Sequence, residues 1–157
     1  DALTSMGMSQ NFAGDFSRAL DSHYKALNLS IQTGNKSGES ESLMQIGLSY
    51  LGNKEDDTAL EYLNKSLEIR LKSGTKLELA SVLGNLGNIH INLEKHEKAM
   101  EYFEQCKTLF EEIGNKLQTG RAYLNIGINL GALGKYKEAV NYVNTAREHS
   151  IIFCLFF

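Results

Sequence analysis

The sequence predicts an all-α fold, a right-handed α-solenoid of four helical hairpins with about eight helices. Three observations predict it. The 157 residues contain no proline, and Ala, Leu, Glu and Lys recur throughout, so no residue forces a helix to break. The text repeats at a period of 40: Ala19, Ala59, Ala99 and Ala139 align, as do Gly7, Gly47, Gly87 and Gly127. Within each unit, apolar residues recur at three- and four-residue spacing, which is a helix face.

The repeats run over about residues 1–33, 36–73, 76–113 and 116–153, with an apolar tail at 154–157. Met6, Ile46, Leu86 and Ile126 precede the aligned glycines, and Ala26, Ser66, Cys106 and Ala146 form a second column of small residues. In the third unit, Leu79, Val82, Leu83, Leu86 and Ile89 mark a first helix. Ala99, Met100, Phe103, Cys106, Phe110 and Ile113 mark a second, and Glu94-Lys95 is the polar turn between them. Gly14-Asp15 and Gly134-Lys135 mark the same turn in the first and fourth units. Gly34, Gly74 and Gly114 fall just past each second helix, where a left-handed residue is expected to close it. Asn35, Thr75 and Asn115 follow as N-caps of the next helix, with Glu78 and Gln118 placed to complete capping boxes. A lone hairpin cannot bury both of its faces, so stability is expected to come from stacking.

Composition narrows the function classes. The length suits one domain. The net charge of −3 and pI near 5.8 lack the clustered basic footprint of a nucleic-acid binder. No apolar run approaches the roughly 20 residues of a membrane span. Two cysteines, Cys106 and Cys154, make no disulfide framework. The chain opens at Asp1 without a basic-then-apolar leader, which reads as an excised piece with no targeting signal and a cytoplasmic location.

The unit Leu43…Ile46-Gly47…Tyr50…Ala59…Leu63…Ser66 resembles the tetratricopeptide repeat. The other units carry the same signature in phase: Leu3…Met6-Gly7…Ala19…Ala26, Leu83…Leu86-Gly87…His90…Ala99…Phe103…Cys106 and Tyr123…Ile126-Gly127…Ala139…Ala146. The proline usual after the second helix is absent and the period is 40 rather than 34. In that extended form the repeats resemble the Pins/LGN-type adaptors, through Leu86-Gly87-Asn88 and Arg121-Ala122-Tyr123 followed by Asn125 and Gly127. Kinesin-light-chain and bacterial peptide-sensor repeats are long as well.

The resemblance implies a non-enzymatic interaction scaffold, whose first helices line a concave groove for a protein or peptide partner. It places Gln45 and Leu48 of the second unit in that groove. Asn85 and Asn88 of the third, and Arg121, Asn125 and Ile128 of the fourth, join them. A column of carboxamides, Gln45, Asn85 and Asn125, could hold the main chain of an extended segment, since each both donates and accepts. The two-carboxylate clamp of chaperone-binding relatives needs lysines, and the matching positions hold Thr4, Met8, Gln45, Ser81 and Asn85.

No catalytic, metal or cofactor site is expected. His23, His90, His96 and His149 lack ligand spacing, and Cys106 falls in the small core column. Glu55-Asp56-Asp57 sits at a turn and helix start, where negative charge suits the helix dipole. The chain has neither a phosphate loop nor long loops bearing facing carboxylates. The tail from Ser150 to Phe157 replaces a polar helix end with apolar residues. It could pack back on the last hairpin, dock on another copy to make a homodimer, or lead into a further region. Self-association through it is the alternative function.

Overall fold

The computed structural model describes the backbone of residues 2–156 and the side chains of residues 2–149. The tail expectations concern side chains outside that range. Among the described residues there are eight α-helices and no strand. They are α1 (Ala2–Phe12), α2 (Phe16–Gln32), α3 (Lys36–Gly52), α4 (Asp56–Ser73), α5 (Lys76–Asn92), α6 (His96–Ile113), α7 (Lys116–Ala132) and α8 (Tyr136–Phe156). Consecutive pairs form four hairpins. Two hairpins make one compact unit, Asp1–Thr75, and two make another, Lys76–Phe157. In the first unit α2 packs against both α1 and α3, and α3 against α4. In the second α6 packs against both α5 and α7, and α7 against α8.

Each hairpin closes around a glycine of its first helix. A Cβ on Gly87 would lie 2.4 Å from the ring of Phe103, and one on Gly7 would lie 2.3 Å from the imidazole of His23. Gly47 faces Leu63 and the Ala59 carbonyl, and Gly127 faces Val143 and the Ala139 carbonyl. The alanine column Ala19, Ala59, Ala99 and Ala139 is buried throughout. A larger side chain at either position would drive the helices apart.

The opposite end of the hairpin has its own close contact. Ser40, Ala80 and Gly120 are buried on the first helices, and Ser66, Cys106 and Ala146 are buried on the second. In the second hairpin the contact is a hydrogen-bonded pair. Ser66 Oγ donates to the Ser40 carbonyl at 2.9 Å, and the two hydroxyls lie 2.8 Å apart. On the turn side of the glycine, one contact recurs with changing chemistry. Ser22 donates to Gln10 at 2.9 Å, Tyr62 stacks on Tyr50 at 5.6 Å, and Tyr102 stacks on His90 at 5.3 Å.

Six of the interhelix turns close alike. At Gly14, Gly34, Lys54, Glu94, Gly114 and Gly134 the backbone is left-handed. That residue's N–H donates three residues back and the next N–H donates five back, as in Glu94→Ile91 at 2.9 Å and Lys95→His90 at 2.8 Å. Asp15, Asn35 and Asn115 then cap the following helices through Arg18, Gly38 and Gln118 N–H groups.

The left-handed closure expected at Gly74 does not form. Its φ is −82° and ψ 155°, extended backbone, and its N–H donates to the Arg70 carbonyl at 2.8 Å. Glycine is needed there for room, since a Cβ would sit 2.7 Å from that carbonyl and 2.9 Å from the Arg70 side chain. Arg70 is itself buried, donating to the Ser37 hydroxyl at 3.0 Å and the Ser37 carbonyl at 3.2 Å.

These contacts set two expectations for urea unfolding. Gly87→Ala forces the Phe103 ring to move and lowers stability by about 1–3 kcal/mol. Glu94→Gly relieves a left-handed non-glycine residue and raises stability by about 0.5–1 kcal/mol. Equal midpoints for wild type and Gly87→Ala would contradict the first; a lowered midpoint for Glu94→Gly would contradict the second.

Candidate functional site

The second unit has a cleft between its two first helices. Spacings of three and four residues put Ser81, Asn85 and Asn88 on one face of α5, and Gln118, Arg121 and Asn125 on one face of α7. These six side chains flank a cavity of about 230 Å³, floored by Cys106 and Phe110 of α6. Gly84 lies at the floor, and the nearest atom to a Cβ built there is Cys106 Sγ at 3.4 Å. The missing side chain leaves the cleft open. Asn85 and Asn125 are half-buried; Asn88 and Arg121 are exposed.

Among the described residues, the side chains of Asn85, Asn88, Arg121 and Asn125 have no hydrogen-bond or ion-pair partner. Arg121 is the single charged residue of the lining, and no acid faces it there. A second cavity of about 270 Å³ shares Asn88 and Asn125 as walls and adds Ile91, Phe103 and Ile128. Ile128 is 57% exposed, so this second space is an apolar seat open to solvent.

The remaining expected groove residues lie in the first unit. Gln45 and Leu48 line a cavity of about 450 Å³ with Met8, Asn11, Phe12 and Phe16. It is walled mostly by apolar side chains, and Phe12 is 95% exposed. Gln45 differs from Asn85 and Asn125. It is buried, and its amide donates to Glu41 Oε1 at 2.9 Å. A carboxamide already engaged by the preceding turn of its own helix has less to offer a ligand.

Sequence reasoning overlooked Gln118 as a wall, and Phe103 and Cys106 as parts of the site. Gln118 could have been found, because it lies one helical turn before Arg121. The double role of Phe103, in the core and under the second cavity, carries no sequence signal. Burial pushes the Cys106 thiol up to about 11, so it stays protonated and is no nucleophile at neutral pH. Among the described residues, no three His, Cys, Asp or Glu side chains group as metal ligands. Among the described residues, no helix is long and apolar enough to cross a membrane.

The histidines serve packing. His96 is held by Asn129, whose amide donates to the His96 carbonyl and whose Oδ1 accepts from its Nδ1, both at 2.8 Å. His90 is 2% exposed and has no partner for either ring nitrogen. His23 is fully buried, with Nδ1 unpartnered and Asn11 3.5 Å from Nε2. Burial lowers the pKa of both from 6.5, and Lys98 and Lys95 push His90 further down.

Two tetratricopeptide-repeat profiles match the chain, one over residues 40–73 and one over 78–150. Together they cover more than half of it, and the chain belongs to the tetratricopeptide-repeat family. No curated protein matches it. Solved structures do. BtubC (BKLC) from P. vanneervenii superposes with a TM-score of 0.86 at 15% identity, over 99% of this chain and 64% of that one. Aspartyl phosphate phosphatase F from Bacillus subtilis gives 0.88 at 18%, over 94% and 39%. A Rap protein complexed with Competence and Sporulation Factor gives 0.85 at 19%, over 94% and 43%. The chain thus spans between about two fifths and just under two thirds of these proteins. At such identities the likeness speaks for the fold alone, the all-α repeat solenoid that the sequence predicts.

The buried histidines make stability fall on mild acidification. Below pH 6.5 the unfolded chain takes up protons that the folded chain refuses until its lowered pKa values are reached. Each histidine adds a slope of at most about 1.4 kcal/mol per pH unit in that window, fading as pH rises through 7 and small by about pH 8. Urea midpoints measured from pH 7.5 to 5 should drop, and less steeply for His90→Phe, which keeps the stack on Tyr102. Identical pH profiles for the two proteins would refute the assignment to His90.

Proposed function

We propose that the chain is a binding scaffold that holds an extended segment of a partner protein in the cleft of its second unit, without chemistry. One observation carries the reading. Four polar side chains, Asn85, Asn88, Arg121 and Asn125, converge on an open cleft and none is used by the protein's own structure. Polar groups that fold a protein are normally paired with one another or with backbone. Those in this cleft can be satisfied only by water or a ligand. Carboxamides suit an extended main chain, because each matches both its N–H and its carbonyl. The apolar cavity of the first unit, with Leu48 beside Met8 and Phe12, offers a further seat for apolar side chains.

The repeat is read as the forty-residue form of the Pins/LGN-type adaptors, a likeness resting on Leu86-Gly87-Asn88 and the Arg121-to-Gly127 string. The Rap neighbour, solved complexed with Competence and Sporulation Factor, is one protein of this fold that holds a partner.

The test is affinity capture by the wild type, Asn85→Ala/Asn125→Ala and Gly84→Leu, with each captured partner's affinity then measured by titration. The Asn85 and Asn125 side chains make no internal hydrogen bonds, and a Cβ fits at Gly84, so thermal melts should stay close to wild type. Partner affinity should fall roughly tenfold or more in the double variant, and binding should be blocked by Gly84→Leu. Partners that bind all three proteins equally well would defeat the cleft.

A further inference from the structure

We infer that the second unit selects a particular kind of segment: one with an acidic side chain and, two residues along, an aliphatic one. The inference rests on the cleft reading above and adds the chemistry of the occupant. It comes from the contrast between two adjoining spaces. The first holds one cation, Arg121, and no acid. The second is mainly apolar, made by Ile91, Phe103 and Ile128 with Asn92 as a further lining residue. Asn88 and Asn125 stand between them as the shared wall.

The cation decides what the first space can hold. Arg121 has no ion-pair partner among the described residues, in a chain of net charge −3. A lysine or arginine placed there would meet like charge with no acid to offset it. An apolar side chain would strip water from the guanidinium and return nothing. A carboxylate satisfies it, since the planar fork donates two parallel hydrogen bonds to two oxygens. The neighbouring amides, Asn85 and Gln118, supply further donors for the same group. A side-chain carboxylate also lets the segment continue through both spaces, whereas a chain terminus would stop in the first.

The shared wall sets the spacing. In an extended segment, alternate side chains point to one side, roughly 6.6 Å apart, with a peptide group on either side of the residue between. Asn88 and Asn125 then meet that intervening main chain, while the acidic side chain enters the Arg121 space and the aliphatic one enters the Ile128 space.

The experiment is selection from two random heptapeptide display libraries, one with peptides flanked on both sides and one with free C-termini. The full chain and its Arg121→Glu, Ile128→Asp and Asn85→Ala/Asn125→Ala variants are the baits, each checked for helicity by circular dichroism. Wild type should enrich Asp or Glu two residues from Ile, Leu, Val or Met in the flanked library. Synthetic versions should lose roughly tenfold or more in affinity when the acid becomes its amide, and should weaken as salt rises. Arg121→Glu should lose the acidic preference and keep the aliphatic one, and Ile128→Asp should do the reverse.

An acidic preference that survives Arg121→Glu, a wild-type selection without acids, or enrichment confined to free C-termini would each overturn the inference. If selected peptides still need Asn85 and Asn125, the cleft reading stands while this one falls. If their binding ignores those residues, or no peptide is enriched, both fall.

Discussion

The structure depends on how closely the two helices of a hairpin approach. Where the first helix carries Gly7, Gly47, Gly87 or Gly127, the second sends a side chain into the volume a Cβ would take. The occupant varies among His23, Leu63, Phe103 and Val143, because the vacancy constrains the glycine and not the group that fills it. Further along, a pair of small residues such as Ala80 and Cys106 brings the helices together again. Two points of near contact hold the pair close along its length, so the turn joining the helices has to be tight. The left-handed closure with its paired backbone hydrogen bonds meets that demand at the four turns inside the hairpins, and it recurs at Gly34 and Gly114 between hairpins. Glycine column, small column and turn geometry are thus consequences of one requirement.

Much of this was legible because a demand met by one residue type leaves a column. The alanines, the glycines before the core and the asparagine caps repeat visibly. Positions answering the same demand by different chemistry do not. Lys54 and Glu94 adopt the left-handed backbone that Gly14 and Gly134 adopt, although their side chains give no hint of it. The contact made by Gln10 with Ser22 in one hairpin is a stack of rings in the next two. Gly74 misled in the opposite sense. It belongs to the column of closing glycines, yet it is there to clear the Arg70 carbonyl, and its φ is negative. Identity of residue and identity of cause are separate matters.

The site was legible to a similar depth. Asn85, Asn88, Arg121 and Asn125 line one cleft, as one-face spacing on adjacent first helices requires. Gln45 shares their column but is tied to Glu41 four residues earlier, a local pairing that the sequence does allow for. The cleft's depth was not legible, because it depends on Gly84 leaving room above Cys106. Nor was the apolar seat beside it, since Phe103 reads as core, and only the packed hairpin shows its fully buried ring lining that seat.

The chain's polar groups divide in a way that bears on function. Apart from the rings of His23 and His90, those packed inside each unit are engaged by the fold: Ser40 with Ser66 within a hairpin, and Asn129 with His96 and Tyr24 with Tyr62 between neighbouring hairpins. Removing one partner of such a pair strands the other in the core, at a cost of about 1–3 kcal/mol. The cleft residues lie outside this economy. Their backbones are held in α5 and α7 by contacts on the opposite faces of those helices, while their side chains contribute nothing to holding them. A surface of that kind can change its residues without weakening the fold. Because the helices are already in place, a ligand need order only itself and the side chains it meets. Close packing on one face is therefore what leaves the side chains of the other unengaged.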